Sequence, residues 1–217
     1  MKRLRLILAF VALCCFTCEV SAQQGNFVSG LEIWGGYTSN GTVPFWIRSN
    51  QFGSVPLDGA SLSLIGFARK DYDLSGEKLF DWGASFEGRA NLGQGSSLAL
   101  IEGYGKVRLG IFELRAGRSK KITGLCDTTL TSGSWSISGT NFGIPEVELS
   151  VRDFWTIPWF GKLFAFKGNF SHGWMGDVPM KRWFDDSDTV QIKTYLHQKS
   201  FYGRFGKPSW KLKMYGG

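Results

Sequence analysis

The sequence predicts an all-β protein: an antiparallel transmembrane outer-membrane β-barrel, here an incomplete barrel of about nine strands. Three observations point there. Polar and apolar residues alternate with a period of two over segments near ten residues long, enough for a tilted strand to cross a bilayer. Glycine is abundant (29) and aromatic residues make up 15%, against only 6 prolines, as in sheets whose strands alternate faces. Beyond the N-terminus, no run of about 18 apolar residues offers a membrane-spanning helix.

The N-terminus reads as a cleavable secretory signal. Lys2, Arg3 and Arg5 precede an apolar run from Leu6 to Thr17, and Val20-Ser21-Ala22 supplies small residues before Gln23. Cleavage is expected after Ala22, leaving residues 23–217 as one domain. The signal takes three cations and one anion with it, lowering the net charge from +7 to +5. Cys14, Cys15 and Cys18 also leave, so Cys126 remains alone, which excludes an internal disulfide framework. Export argues against nucleic acid as a partner, and no basic run exceeds Arg118-Ser119-Lys120-Lys121. A basic lumen facing an acidic polymer, or basic ends facing anionic headgroups, suits the compartment better.

The alternation places strands at about 28–38, 60–72, 79–92, 97–109, 111–120, 145–156, 162–172, 198–206 and 210–217. In the clearest of them, Phe80, Trp82, Ala84, Phe86 and Ala90 share one face, and Asp81, Ser85, Glu87 and Arg89 the other. The next segment sets Ala99, Ile101, Val107 and Leu109 against Glu102, Tyr104, Lys106 and Arg108. Phe112, Leu114 and Ala116 then oppose Glu113 and Arg115. The stretches 120–144 and 173–197, the latter with Asp185, Asp186 and Asp188, are expected as external loops.

A soluble sandwich buries such an apolar face, whereas an outer-membrane barrel turns it to lipid and its charged face to a wet lumen. Soluble strands typically run about 5–6 residues, so the longer segments favour the membrane form. Glu87, Arg89, Glu102, Arg108, Glu113 and Arg115 then form a lumenal ladder of opposite charges, paired across neighbouring strands. Phe80, Trp155, Trp159 and Trp174, near strand ends, suit interfacial girdles. The sequence stops at Met214-Tyr215-Gly216-Gly217 without a terminal aromatic strand, which predicts that the chain is the N-terminal part of a longer barrel.

Catalytic patterns are not found. His172 and His197 have no spacing typical of a metal site or general base, and Ser171-His172-Gly173 is not a nucleophile elbow. Asp185-Asp186 reads as a solvated turn, and Gly103-Tyr104-Gly105 is too short for a phosphate loop. A non-enzymatic protein without cofactor or metal is therefore expected. Sugar recognition is better served, because it uses aromatic faces with planar polar side chains. Pro44 to Gln51 and Phe170 to Asp177 both hold those types.

The same stretches carry a resemblance. Pro44-Phe45-Trp46 through Asn50-Gln51-Phe52-Gly53-Ser54-Val55-Pro56 resembles the early signature of the capsule assembly Wzi-like outer-membrane proteins, in the form found in Bacteroidetes. Gly117-Arg118, Leu130-Thr131-Ser132-Gly133-Ser134 leading to Asn141 and Ile144-Pro145-Glu146, Ser171-His172-Gly173-Trp174, and Leu196-His197-Gln198-Lys199-Ser200 with Tyr202-Gly203-Arg204 follow in the same order. The resemblance implies a large barrel of a Gram-negative outer membrane that binds and organises capsular or other surface polysaccharide, with lipid around it. It makes Trp46, Arg48, Asn50, Gln51, Arg118, His172, Trp174, Asp177, His197 and Lys199 the polysaccharide-binding candidates. A general porin is the rival reading, from the charged lumen alone.

Overall fold

The computed structural model describes residues 26–73, 75, 78–93, 96–126, 130–131, 137–139, 141–182 and 185–217; at 39–40, 58, 178, 180–182 and 185–189 it describes the backbone alone. The signal segment and Ser132 to Ser136 lie outside the described residues. Nine strands form one antiparallel sheet whose spatial order is the chain order. They are β1 (Phe27–Thr42), β2 (Asp58–Lys70), β3 (Phe80–Gly93), β4 (Ser97–Leu109), β5 (Phe112–Arg118), β6 (Glu146–Thr156), β7 (Phe164–Arg182), β8 (Asp185–Phe205) and β9 (Met214–Gly216). Among the described residues, helix is confined to α1 (Phe45–Arg48) and a single 3-10 turn at Phe160–Lys162. The expected all-β class and antiparallel pairing are present; the sheet is not closed, since β1 and β9 do not pair.

The sheet is inside out relative to a soluble domain. Among the described residues, four buried hydrophobic side chains stand against sixteen buried polar or charged ones. Soluble cores show the reverse, because an unpaired buried charge is costly. On β3, Phe80, Trp82 and Phe86 are exposed while Asp81, Ser85, Arg89 and Asn91 are buried. β5 and β6 repeat this, with Leu114, Val147 and Leu149 outward and Glu113, Arg115, Glu146 and Glu148 inward. The polar face is therefore concave and internally hydrogen-bonded, and the convex face is mostly apolar and bare, with His172, His197 and Lys199 as polar exceptions on β7 and β8.

Three expectations need correction. Residues 173–197 are strand, not loop: β7 and β8 stay paired from Phe164↔Phe205 up to Arg182↔Asp185. β6 ends its pairing at Gly173, so the rest of the hairpin projects as a two-stranded ribbon. Pro179 is tolerated there because its flank has no neighbouring strand to receive an N–H. Asp185, Asp186 and Asp188 thus begin a strand rather than fill a loop. Second, a bulge between Glu87 and Gly88 leaves Ile101 without a cross-strand partner and shifts the phase of β4. Leu98 and Leu100, not Ala99 and Ile101, share the convex face with Val107 and Leu109; Ile101 is 3% exposed, on the concave side. Third, the last strand shortens from 210–217 to Met214–Gly216, pairing with β8 at Gly203, Arg204 and Phe205.

Candidate functional site

The concave face is built from alternate residues of β1 to β8 and covered by two segments from the upper rim, where β1–β2, β3–β4, β5–β6 and β7–β8 connect. The first segment follows β1. Pro44 sets its backbone for the short α1, then Asn50, Phe52 and Gly53 take left-handed φ of 57°, 50° and 70°, folding the chain inward. An aromatic residue in that region is uncommon, and Phe52 is held there by its N–H donating to the Gly139 carbonyl at 3.0 Å. Ser54 and Val55 end buried, at 4% and 6% exposure. Arg89 fixes them: its guanidinium donates to Ser63 Oγ (3.0 Å), Asn91 Oδ1 (3.0 Å) and Ser54 Oγ (3.4 Å), and Asn91 Nδ2 donates to the Ser54 carbonyl (3.2 Å).

The second segment, described at 119–126, 130–131, 137–139 and 141–145, enters from between β5 and β6. Asn50 Nδ2 donates to its Thr131 carbonyl at 2.8 Å, so the two segments meet over the concave face. Lys120 and Lys121 decide the electrostatics. Glu87 and Glu102 stand directly opposite each other on β3 and β4, a repulsive register. Lys120 joins them, bonded to Glu87 and 3.8 Å from Glu102. Lys121 likewise bonds Glu148 and lies 2.9 Å from Glu146. The expected cross-strand ladder is therefore only partly strand-to-strand, as in Arg108–Asp81 at 3.9 Å. Arg115 pairs along its own strand with Glu113 at 2.7 Å, and lysines from the segment bridge two pairs of glutamates.

At the lower rim the β2–β3 connection closes the floor. Tyr72 donates to Glu113 at 3.0 Å, under Lys106 and Arg108. Burial, then the Glu113 carboxylate, pushes its phenol well above the usual range. Asp71 accepts from Lys106; burial alone would raise its carboxyl, but that bond and the charges of Lys106 and Arg69 lower it. Asp73 is lowered to about 2 by Lys78 at 2.8 Å and by the Ser75 N–H.

Two adjoining cavities remain beneath the segments. One, about 520 Å³, is lined by Glu32, Asn50, Gln51, Arg69, Glu87 and Arg89 over a floor that includes Phe67 and Ile101. The other, about 480 Å³, is lined by Asn50, Phe52, Arg115, Lys120, Lys121 and Arg152 with Glu148. Asn50, Phe52 and Lys120 belong to both. The first balances three acids, Asp71 included, against three bases; the second sets four cations against one carboxylate. Planar donors and acceptors converge there with a few apolar surfaces, as ligand sites require.

The candidates read from sequence divide. Asn50 and Gln51 line the first cavity. Trp46 is 77% exposed on α1, and Arg48 ends that helix, away from both cavities. Arg118 donates to the Leu100 carbonyl (3.1 Å) and lies over Phe142. Asp177 is exposed on the ribbon, opposite Lys193. His172, Trp174, His197 and Lys199 alternate with the buried Ser171 and with Gln198, so they occupy the convex face. Arg69, Phe52, Lys120, Lys121 and Arg152 were missed as site residues. Only the Arg118–Lys121 run hinted at two of them, and nothing in it says which face it meets. No protein-family model, curated protein or solved structure matches this chain.

Proposed function

We propose that this protein is an outer-membrane β-barrel component, exported by its N-terminal signal, that binds surface or capsular polysaccharide on its concave face without chemical turnover. The observation that carries this is the covered concave face: two inward-folded segments, joined at Asn50–Thr131 and Phe52–Gly139, leave cavities lined by charged and amide side chains. Such a lining satisfies sugar hydroxyls, and the four cations of the second cavity suit a polymer with acidic substituents.

The convex face supports the membrane part. Trp155, Phe166, Phe201, Phe164, Phe205 and Trp210 interlock in pairs around its lower end. Trp174 and Tyr195 sit opposite one another at its upper end. From Phe164 to Trp174 the strand rises ~33 Å, or about 25 Å along the normal at a tilt near 40°, the height of an outer-membrane apolar band. The motif resemblance to Wzi-like proteins points the same way.

The test is binding of capsular polysaccharide, purified from the producing bacterium, to the detergent-solubilised protein. Arg152→Gln and Gln51→Ala are expected to weaken binding more than tenfold, and Trp174→Ala on the convex face to leave it unchanged. The reverse pattern overturns the concave site. The porin reading draws on the charged lining itself. It predicts steady conductance in planar bilayers, whereas a concave face covered by 43–57 and by Lys120 and Lys121 conducts only after residues 45–55 are deleted.

A further inference from the structure

The chain contains two histidines, 25 residues apart in sequence, and the β7–β8 register sets them directly opposite each other. His172 Nδ1 and His197 Nε2 are 3.2 Å apart on the convex side, at the base of the projecting ribbon. From this juxtaposition we propose that His172 and His197 form a chelating site for one late first-row transition dication, such as Zn²⁺ or Cu²⁺.

The spacing fits chelation. Two nitrogens each about 2.0–2.1 Å from a tetrahedral ion lie roughly 3.3–3.4 Å apart. The rings also lie side by side, with centroids 4.4 Å apart at 47°. Nitrogens meeting end to end would hold the centroids farther apart than this, by about one ring radius. The two nitrogens therefore meet at an angle, within hydrogen-bond reach of each other, and an ion would take the place of the proton between them.

The His172 ring is positioned before any ion arrives. Trp174 meets it edge-on, with centroids 4.7 Å apart, and Tyr195 stacks on it at 5.6 Å and 18°. Preorganised ligands lose little freedom on binding. His172 and His197 stand one rung below Trp174 and Tyr195, at the upper edge of the convex band, where the headgroup region brings ions to the exposed His197. Among the described residues no third His, Cys, Asp or Glu joins the group, so the protein supplies two ligands and solvent completes the shell. Imidazole is a borderline ligand suited to zinc, copper and nickel rather than calcium or magnesium.

The position also gives a consequence. The pair clamps β7 to β8 where β6 stops supporting them, at Gly173↔Glu146. A bound ion is expected to stiffen the ribbon from its base.

The test uses full-length protein in detergent, purified without a histidine tag, titrated calorimetrically with ZnCl₂ and separately with CuSO₄. One equivalent per chain is expected, with affinity falling more than tenfold in His172→Gln and in His197→Gln, and lost in the double variant. Magnesium is expected to give no heat. Independently, on the wild-type protein, the ion should block diethylpyrocarbonate modification of both histidines, read by mass spectrometry. Absence of binding, binding that survives the double substitution, or protection of one histidine alone would overturn the proposal. None of these readouts depends on polysaccharide binding.

Discussion

Leu149 offers a sharp separation of lipid from water. It lies on the convex face at 48% exposure, on a rung with Leu114 (46%) on β5, Phe170 (47%) on β7 and, one strand further, Lys199, whose amine lies over the Phe170 ring at 5.6 Å. Phe170 stands six residues above Phe164 and four below Trp174, so the rung is ~15 Å above the lower aromatic ring and ~10 Å below the upper. Arginine near the midplane of such a band costs about 2–4 kcal/mol, a roughly 30- to 700-fold shift in the folding equilibrium. In a soluble protein the same half-exposed position would change stability by no more than about 0.5 kcal/mol. Leu212, 83% exposed in the connection below β8, is the control, since its site lies outside the band. Urea titrations of Leu149→Arg and Leu212→Arg in phosphatidylcholine vesicles, followed by tryptophan fluorescence, give the two losses. Equal losses within about 0.5 kcal/mol would refute the lipid-facing assignment.

Three further outcomes follow from the concave side. Lys120→Met leaves Glu87 and Glu102 facing each other; removing one partner of a buried pair costs about 3–5 kcal/mol, reduced to about 1–3 by the 28% exposure of Lys120. Adding Glu87→Gln should restore more than half of that loss in a double-mutant cycle, and simple additivity would count against the bridge. Gly117 has φ +127°, and a Cβ there would sit 2.2 Å from the Gly103 carbonyl oxygen, so Gly117→Ala should cost at least about 2 kcal/mol by thermal melting. Asp73, held at about 2 by Lys78 and Ser75 against an ordinary 3.8, is lowered on folding. Its contribution is therefore full above pH 3.8 and lost as pH falls through about 2; Asp73→Asn should flatten the thermal midpoint in that window, and an unchanged slope would contradict it.

The alternation of Phe80 to Ala90 was legible because each residue there reports its face through chemistry alone. β5 and the first half of β6 were legible for the same reason. The β7–β8 ribbon was not. Gly176, Pro179 and the aspartates near residue 185 carry turn chemistry, yet the backbone of each strand satisfies the other whatever the side chains. The phase of β4 was hidden by a bulge, which depends on register with β3 and leaves no mark in composition. Of the site, Asn50 and Gln51 were found because their motif stood out. Arg69, Arg152 and the two bridging lysines come together only through long-range pairing and an inward loop. The His172–His197 contact is of the same kind, since a separation of 25 residues hides a cross-strand neighbour.

The proposed orientation turns the mostly apolar convex face to lipid and the charged concave face to water. Spin labels at single cysteines, in a Cys126→Ser background, test it along residues 112–115 and 146–149 in isolated outer membranes. Positions 112, 114 and 149 should collide with dissolved oxygen and exclude a water-soluble nickel chelate. Positions 113, 115, 146 and 148 should show little oxygen enhancement. Nickel accessibility at 112, 114 and 149 equal to that of loop position 212 would contradict it.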